Sequence, residues 1–426
     1  MIILAMFLGL VLLVMIDVPI AVALAVVTSI AMVVAQGPDI LPNVALVMMD
    51  GATNFPLIAI PLFILAGAIM NSSGISRRLI AFASALLGFV RGGLSMVNIA
   101  TSMFFAEISG SAVADVAALG SILIPAMKRK GYPAPFATAV TSSSATLAVI
   151  IPPSIPMILY AVMAQSSVIQ LFVAGVVPGV LGGLGMMAVC YWFARRYNYP
   201  VEELFRLPLL WSTFKDASLA FTLPVIILGG IFGGFVTATE GAGLAVVASL
   251  LIAAIYRELD WKHLREAIIE GGVQTAVVML LVASSVLVGV FLTEAQVPQT
   301  LAAGIGEFTQ NKFVVLAILN IFFLIIGLFL HSAAAIILVV PIVMPLVNLV
   351  GIDPVHFGIV VTLNLGIGQQ TPPVASVLVT ACSVAKADIW EVSRINVFFV
   401  AVIVMVLLLI TYVPVIPMSL VRFFYG

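Results

Sequence analysis

The chain has 426 residues, of which 63% are hydrophobic and only 8% charged, and its mean hydropathy is +1.29. A soluble domain carries about 25% charged residues, so this composition excludes a soluble fold and indicates a helical membrane protein with many crossings. A net charge of −1 excludes the basic surface of a nucleic-acid binder, and two cysteines (Cys190, Cys382) with three unrelated histidines (His263, His331, His356) form neither a disulfide framework nor a transition-metal motif.

In chain order, apolar runs place crossings near 2–16, 18–36, 57–72, 133–160, 168–192, 217–236, 240–256, 273–292, 354–380 and 396–421. The first run, MIILAMFLGLVLLVM, has no Lys or Arg before it and no small-residue cleavage site after it, so it reads as a retained span. Residues 37–55 (GPDILPNVALVMMDGATNF) read as an external arm whose apolar face is free for a partner. Segments 94–128 and 314–349 are apolar but cut by Gly, Ser and Pro, and read as re-entrant hairpins. Residues 198–215, with Trp211, charges and prolines, read as an interfacial linker helix. The TATE at 237–240 has the pattern of a helix N-terminus with its acid in the first turn, and the structural reading of Glu240 is preferred to a functional one.

Lys and Arg mark the cytoplasmic side. With the N-terminus outside, and with 94–128 entering and leaving by one face, 15 of the 17 basic residues fall inside. Only Lys312 and Arg422 fall outside. A single crossing at 94–128 would put Lys128-Arg129-Lys130 on the wrong face; these three read as a cytoplasmic anchor.

The chain repeats itself at one constant offset. Leu24-Ala25-Val26-Val27 recurs as Leu244-Ala245-Val246-Val247, and the same interval pairs Pro125 with Pro345, Gly131 with Gly351, and Pro152-Pro153 with Pro372-Pro373. Five crossings separate the two copies, so the halves are expected to be inverted in the membrane, the architecture of secondary transporters.

Each half carries two interruptions. The first half has SGSAVAD (109–115) in its hairpin and TSSSATLAVIIPPSIP (141–156) in the next span; the second has HSAAA (331–335) and NLGIGQQTPPVAS (364–376). A helix that stops mid-membrane leaves carbonyls at one end, which with hydroxyls suit a hard cation such as Na⁺, and amides at the other, which suit an anion. Pro152, Pro153, Pro372 and Pro373 restart the helices where amide donors are not needed. Small residues in membrane helices also serve close packing alone, which is an even alternative for any single Ser but not for the symmetric set. The cation ligands expected are Ser109, Gly110, Ser111, Ser143, Ser144 and Thr146 in one half, and Ser332, Asn364, Gly366, Gly368 and Thr371 in the other. The substrate is expected between the breaks, touching Ser111, Ser144, Ser154, Gln369, Gln370 or Thr371. For Asp115 two readings stand side by side, a role in a cation or substrate site and a helix-capping role.

SGSAVAD, IIPPSIP, TATEGAGLA (237–245) and GIDPVHFG followed by TPP resemble the large membrane subunit of TRAP transporters, the DctM type, over essentially the whole chain. The resemblance implies a Na⁺-driven importer of small organic anions in the bacterial inner membrane, served by a periplasmic substrate-binding protein and a small four-helix membrane subunit. It also implies an all-α polytopic membrane protein with an inverted structural repeat, similar in fold to the divalent-anion/Na⁺ symporters and working as an elevator. Scaffold helices would lie in 1–90 and 195–310, and the moving unit in 91–194 and 311–426. Two departures stand out: His331 where many members are acidic, and GQQTPP where many read GLITPP. The glutamine pair suits a substrate with several hydroxyls, and GQQTPPVAS resembles the family's sialic-acid branch; C4-dicarboxylates and sugar acids are the other substrates implied. A stand-alone symporter is the nearest rival. An intramembrane enzyme is the more distant one, because His331 and Ser332 are adjacent and their side chains diverge on a helix.

Overall fold

The structure, a computed structural model, describes every residue except Met1, Asp17, Gly110, 202–204, 259, 260 and Pro373; the side chains of 72, 107–109, 263, 267, 270, 301, 302 and 305–308 are also outside the description. Twenty α-helices follow one another, with no strand among the described residues. The first five are α1 (Ile2–Met15), α2 (Ile20–Gln36), α3 (Leu41–Ala52), α4 (Ala59–Ser72) and α5 (Ile75–Leu87). The first hairpin is α6 (Gly93–Ser109) and α7 (Ala112–Arg129), and the first broken element is α8 (Ala134–Ala145), a 3-10 turn (Thr146–Val149) and α9 (Ile155–Met163). Then come α10 (Val168–Arg196), α11 (Leu207–Phe232), α12 (Ala238–Ile255), α13 (Trp261–Glu294) and α14 (Val297–Phe308). The second hairpin is α15 (Lys312–Phe329) and α16 (Ser332–Leu349), followed by α17 (Pro354–Gly368), α18 (Ser376–Ala385), α19 (Ile389–Tyr412) and α20 (Val415–Tyr425).

Seven of the described helices are long and apolar enough to cross a membrane, and this is a multi-pass membrane protein. The helix order repeats at the offset seen in the sequence: Ala112 and Ser332 begin the second hairpin arms, and Ala134 and Pro354 begin the broken elements.

Several boundaries differ from the sequence expectation. The run 396–421 is not one span: Val413, kept out of the helical conformation by the following Pro414, ends α19, and α20 starts anew. The linker expected at 198–215 is not a separate helix from 207 onward, because Pro208 sits in the first turn of α11 and the helix runs on into the membrane. The 37–55 arm bends by 60° into the following helix and packs on α13, with Gly51 against Val286. Its outer face, Leu46 and Met49, stays exposed. Helices α5 and α14 were not among the expected spans; α5 is short and amphipathic, and its buried face (Ile75, Leu79, Ala83) covers α11 and α6.

The packing crosses between halves. The first hairpin arm α7 lies against α18, the restart helix of the second half, while α16 lies against α9, the restart helix of the first. In the same way α8 packs on α19, and α17 on α10. Helices α2, α3 and α4 pack instead on α12 and α13, and α5 packs on α11. At the centre, the core is lined by fully buried Phe136, Tyr160, Phe172, Phe357 and Phe399.

Candidate functional site

Both breaks follow from local chemistry. After α8 the chain tightens into the 3-10 turn and then runs through a cis Pro152-Pro153 bond, and α9 begins with Pro156 in its first turn. Ser154 is buried there and donates to the Val149 carbonyl oxygen at 2.7 Å. After α17 the chain turns at Gln369, Gln370 and Thr371, passes Pro372, and restarts at Ser376 behind Ala375, which adopts a left-handed conformation. Gly368 closes α17 against α15, because a Cβ there would stand 2.5 Å from Gly327 Cα; only glycine lets these two backbones touch.

Between the hairpin tips and helices α4 and α13 lies a cavity of about 830 Å³. That is large enough for a small metabolite, since ligand pockets run roughly 300–1,000 Å³. Three helix starts reach its wall: Ser111 and Ala112 of α7, Ile155 and Pro156 of α9, and His331 and Ser332 of α16. The positive partial charge at the start of a helix favours an anion. Gln369 lines it from the second break, and Asn71, Glu266 and Gln274 face it from α4 and α13. Among the described lining residues, His331 is the one side chain able to carry positive charge and Glu266 the one carboxylate.

The candidates named from sequence divide into groups. Ser111, Ser332 and Gln369 meet at the cavity, where Ser111 Oγ accepts from the Ala114 amide at 3.4 Å. Ser143, Ser144, Thr146 and Asn364 are buried behind it in hydrogen bonds. Ser143 Oγ donates to Asn396 Oδ1, Ser144 Oγ lies 2.8 Å from Ser102 Oγ, and Thr146 Oγ1 accepts from Gln370 Nε2 at 2.6 Å. Asn364 Nδ2 donates to Asn320 Oδ1 at 2.6 Å, and its own Oδ1 is buried with no hydrogen-bond partner among the described residues. Gly366 faces the Thr146 methyl, and Thr371 Oγ1 donates to the Ile367 carbonyl oxygen at 3.0 Å. Asp115, Ser144, Ser154, Gln370 and Thr371 are not in the cavity wall; Asp115 is buried in the first turn of α7, on the face that packs inward. The Ser109 side chain, Gly110 and Pro373 lie outside the described residues.

Sequence reasoning missed Ser102, Asn320 and Asn396, which hold Ser144, Asn364 and Ser143 in place. For Ser102 and Asn320 the signal was present, since each is a polar residue inside an apolar run, which is costly in a membrane without a partner; Asn396 stands at the edge of its run, two residues after Arg394. Asn71, Glu266 and Gln274 carried no such signal, since only the packing of α4 and α13 turns them toward the hairpins.

Residues 7–416 match the family described as the tripartite ATP-independent periplasmic transporter, DctM component. The chain is 41% identical to the isethionate TRAP transporter permease protein DctMQ of Oleidesulfovibrio alaskensis over 95% of its length, and spans 64% of that protein. It is 37% identical to the C4-dicarboxylate TRAP transporter large permease protein DctM of Pseudomonas aeruginosa, covering 90% of each chain. It is 36% identical to the sialic acid TRAP transporter large permease protein SiaM of Vibrio cholerae, covering 82% of each. Among solved structures it is similar to the Alcanivorax borkumensis YdaH transporter, with a TM-score of 0.65 over 88% of this chain and 89% of that one. At 13% identity that likeness speaks to the fold alone.

Proposed function

The chain belongs to the DctM component family of tripartite ATP-independent periplasmic transporters, and from that premise we propose that it is the large permease subunit of a Na⁺-driven importer of a small organic acid. The observation that carries the reading is the cavity, where three helix starts and His331 face one space beside two broken helices. The acid is held by amide ends and hydroxyls. Na⁺ is held by the carbonyl ends and hydroxyls around Ser111, Ser143, Ser144 and Thr146 in one half and around Ser332, Asn364, Gly366, Gly368 and Thr371 in the other. The hairpins and broken helices move together against α2, α4, α12 and α13 as an elevator, with the two halves inverted in a bacterial inner membrane and the N-terminus outside. A periplasmic binding protein delivers the acid, and a small four-helix subunit sits beside the exposed faces of the first helices.

Relatives named for isethionate, C4-dicarboxylate, 2,3-diketo-L-gulonate and sialic acid define the panel of acids to test. The sialic-acid reading rests on the glutamine pair, and of that pair only Gln369 faces the cavity. Sialic acid therefore stays in the panel on one residue's support.

The test is uptake into proteoliposomes that hold this chain with its small subunit, supplied with the cognate binding protein and each acid. Uptake is expected with a Na⁺ gradient and not with K⁺. Transport driven by a pH gradient alone defeats the sodium reading. Uptake of free acid by this chain alone defeats the tripartite reading in favour of a stand-alone symporter.

A further inference from the structure

Gln370 sits where the two broken elements meet, and the whole capacity of its amide is used there. Its Nε2 donates to the Ser142 carbonyl oxygen at 2.7 Å and to Thr146 Oγ1 at 2.6 Å. Its Oε1 accepts from Ser142 Oγ at 2.7 Å and from Asn396 Nδ2 at 3.2 Å. A carboxamide has two donor hydrogens and two acceptor lone pairs, so none is left for a ligand. Asn396 Nδ2 also lies 3.3 Å from the Gln370 carbonyl oxygen, and Asn396 Oδ1 accepts from Ser143 Oγ. Helix α8, the 3-10 turn after it, the turn after α17 and α19 are tied at one buried residue. The matching position of the first repeat is Ile150, which cannot make these bonds, so the tie exists once although the helices recur.

We infer that Gln370 is a positioning residue that fixes the two breaks relative to each other, so that cations taken by one half and by the other bind as a coupled pair. This rests on the sodium reading above. The residues on either side of the tie are those proposed to bind Na⁺: Ser143 and Thr146 hold it from the first half, and Gly368 and Thr371 flank it in the second. A site built from fixed oxygens tolerates displacements of only about 0.5 Å before its affinity suffers. Without the amide, the Ser142 carbonyl oxygen and the Thr146 hydroxyl lose their buried partner and the breaks separate or tilt.

The experiment is thermal unfolding of the purified full chain at a series of Na⁺ concentrations, with K⁺ keeping ionic strength constant. The wild-type midpoint should rise with Na⁺ along a cooperative curve. Gln370→Met, which keeps the side chain's length and removes its hydrogen bonds, should need roughly tenfold more Na⁺ and give a shallower curve. Ser142→Ala removes one of the four bonds and should shift the curve the same way by roughly twofold to threefold. A wild-type Na⁺ midpoint and slope in Gln370→Met overturns the inference, even if its stability in K⁺ falls. If Gln370→Met does not fold, Ser142→Ala decides by the same criterion. A wild-type chain equally stable in Na⁺ and K⁺ overturns the sodium reading itself, and the inference with it.

Discussion

Replacing Gly368 by alanine tests the closest backbone approach beside the second break. The added Cβ would stand 2.5 Å from Gly327 Cα, against an ordinary contact of at least 3.4 Å, so α15 and α17 must part by about 1 Å. The same two helices are joined by the 2.6 Å bond from Asn364 Nδ2 to Asn320 Oδ1. Moved by about 1 Å, that bond passes beyond hydrogen-bonding distance. Overpacking costs about 1–3 kcal/mol and the lost amide bond about 1 kcal/mol, for a total of about 2–4 kcal/mol. At about 2 °C per kcal/mol for a large chain, the midpoint of thermal unfolding should fall by roughly 4–8 °C. Gly243→Ala is the control, because a Cβ there meets nothing within 4 Å, and it should leave the midpoint unchanged or slightly raised. A Gly368→Ala protein that melts with the wild type would refute the close approach and the account of the break built on it.

Three further outcomes follow from the structure. Ala117 lines the cavity with its side chain exposed, so Ala117→Trp should abolish binding and uptake of the acid while the melting midpoint stays near that of the wild type; retained uptake would place the acid elsewhere. Glu258 makes a bidentate pair with Arg78 at 2.9 Å and 2.9 Å, and its hydrogen bond to that guanidinium holds its carboxyl below the ordinary value of 4.5. A depressed carboxyl stabilises above its unfolded value and loses that contribution as pH falls through the folded one. Because both side chains are a quarter to a third exposed, Glu258→Gln should cost about 1 kcal/mol or less at pH 7, and the difference should shrink as pH falls below the ordinary carboxyl value and through the lowered folded one; a difference that grew on acidification would contradict the assignment. Thr237 and Glu240 form a reciprocal capping box at the start of α12, so Thr237→Ala should destabilise by about 1 kcal/mol, read as a lower midpoint with uptake kinetics unchanged.

The site was legible in part because its logic is written in local chemistry. Proline pairs and Gly-Ser clusters in apolar runs mark where a membrane helix stops, and Pro156 and Ser154 appear at the start of α9 for that reason. The capping box at 237–240 was readable in the same way, since its two partners are three residues apart. Distant partners were not readable. Nothing in NLGIGQQTPP tells that Gln369 turns to the cavity while Gln370 turns into Ser142, Thr146 and Asn396, because those residues are 224–228 and 26 positions away. The pair looked like two substrate contacts, and packing made one of them a strut.

By itself the sequence determined that the chain lives in a membrane, that four of its landmarks recur at one constant offset, and that two apolar runs are interrupted at their proline pairs, because hydropathy, proline and repetition are properties of the chain alone. The tertiary structure decided which half supports which. It laid α7 on α18 and α16 on α9, brought α4 and α13 to the cavity, and set Gln370 against the opposite break. Those choices depend on shape and on buried hydrogen bonds between residues far apart in the chain, where the need of each polar group for a partner is local but the identity of that partner is not.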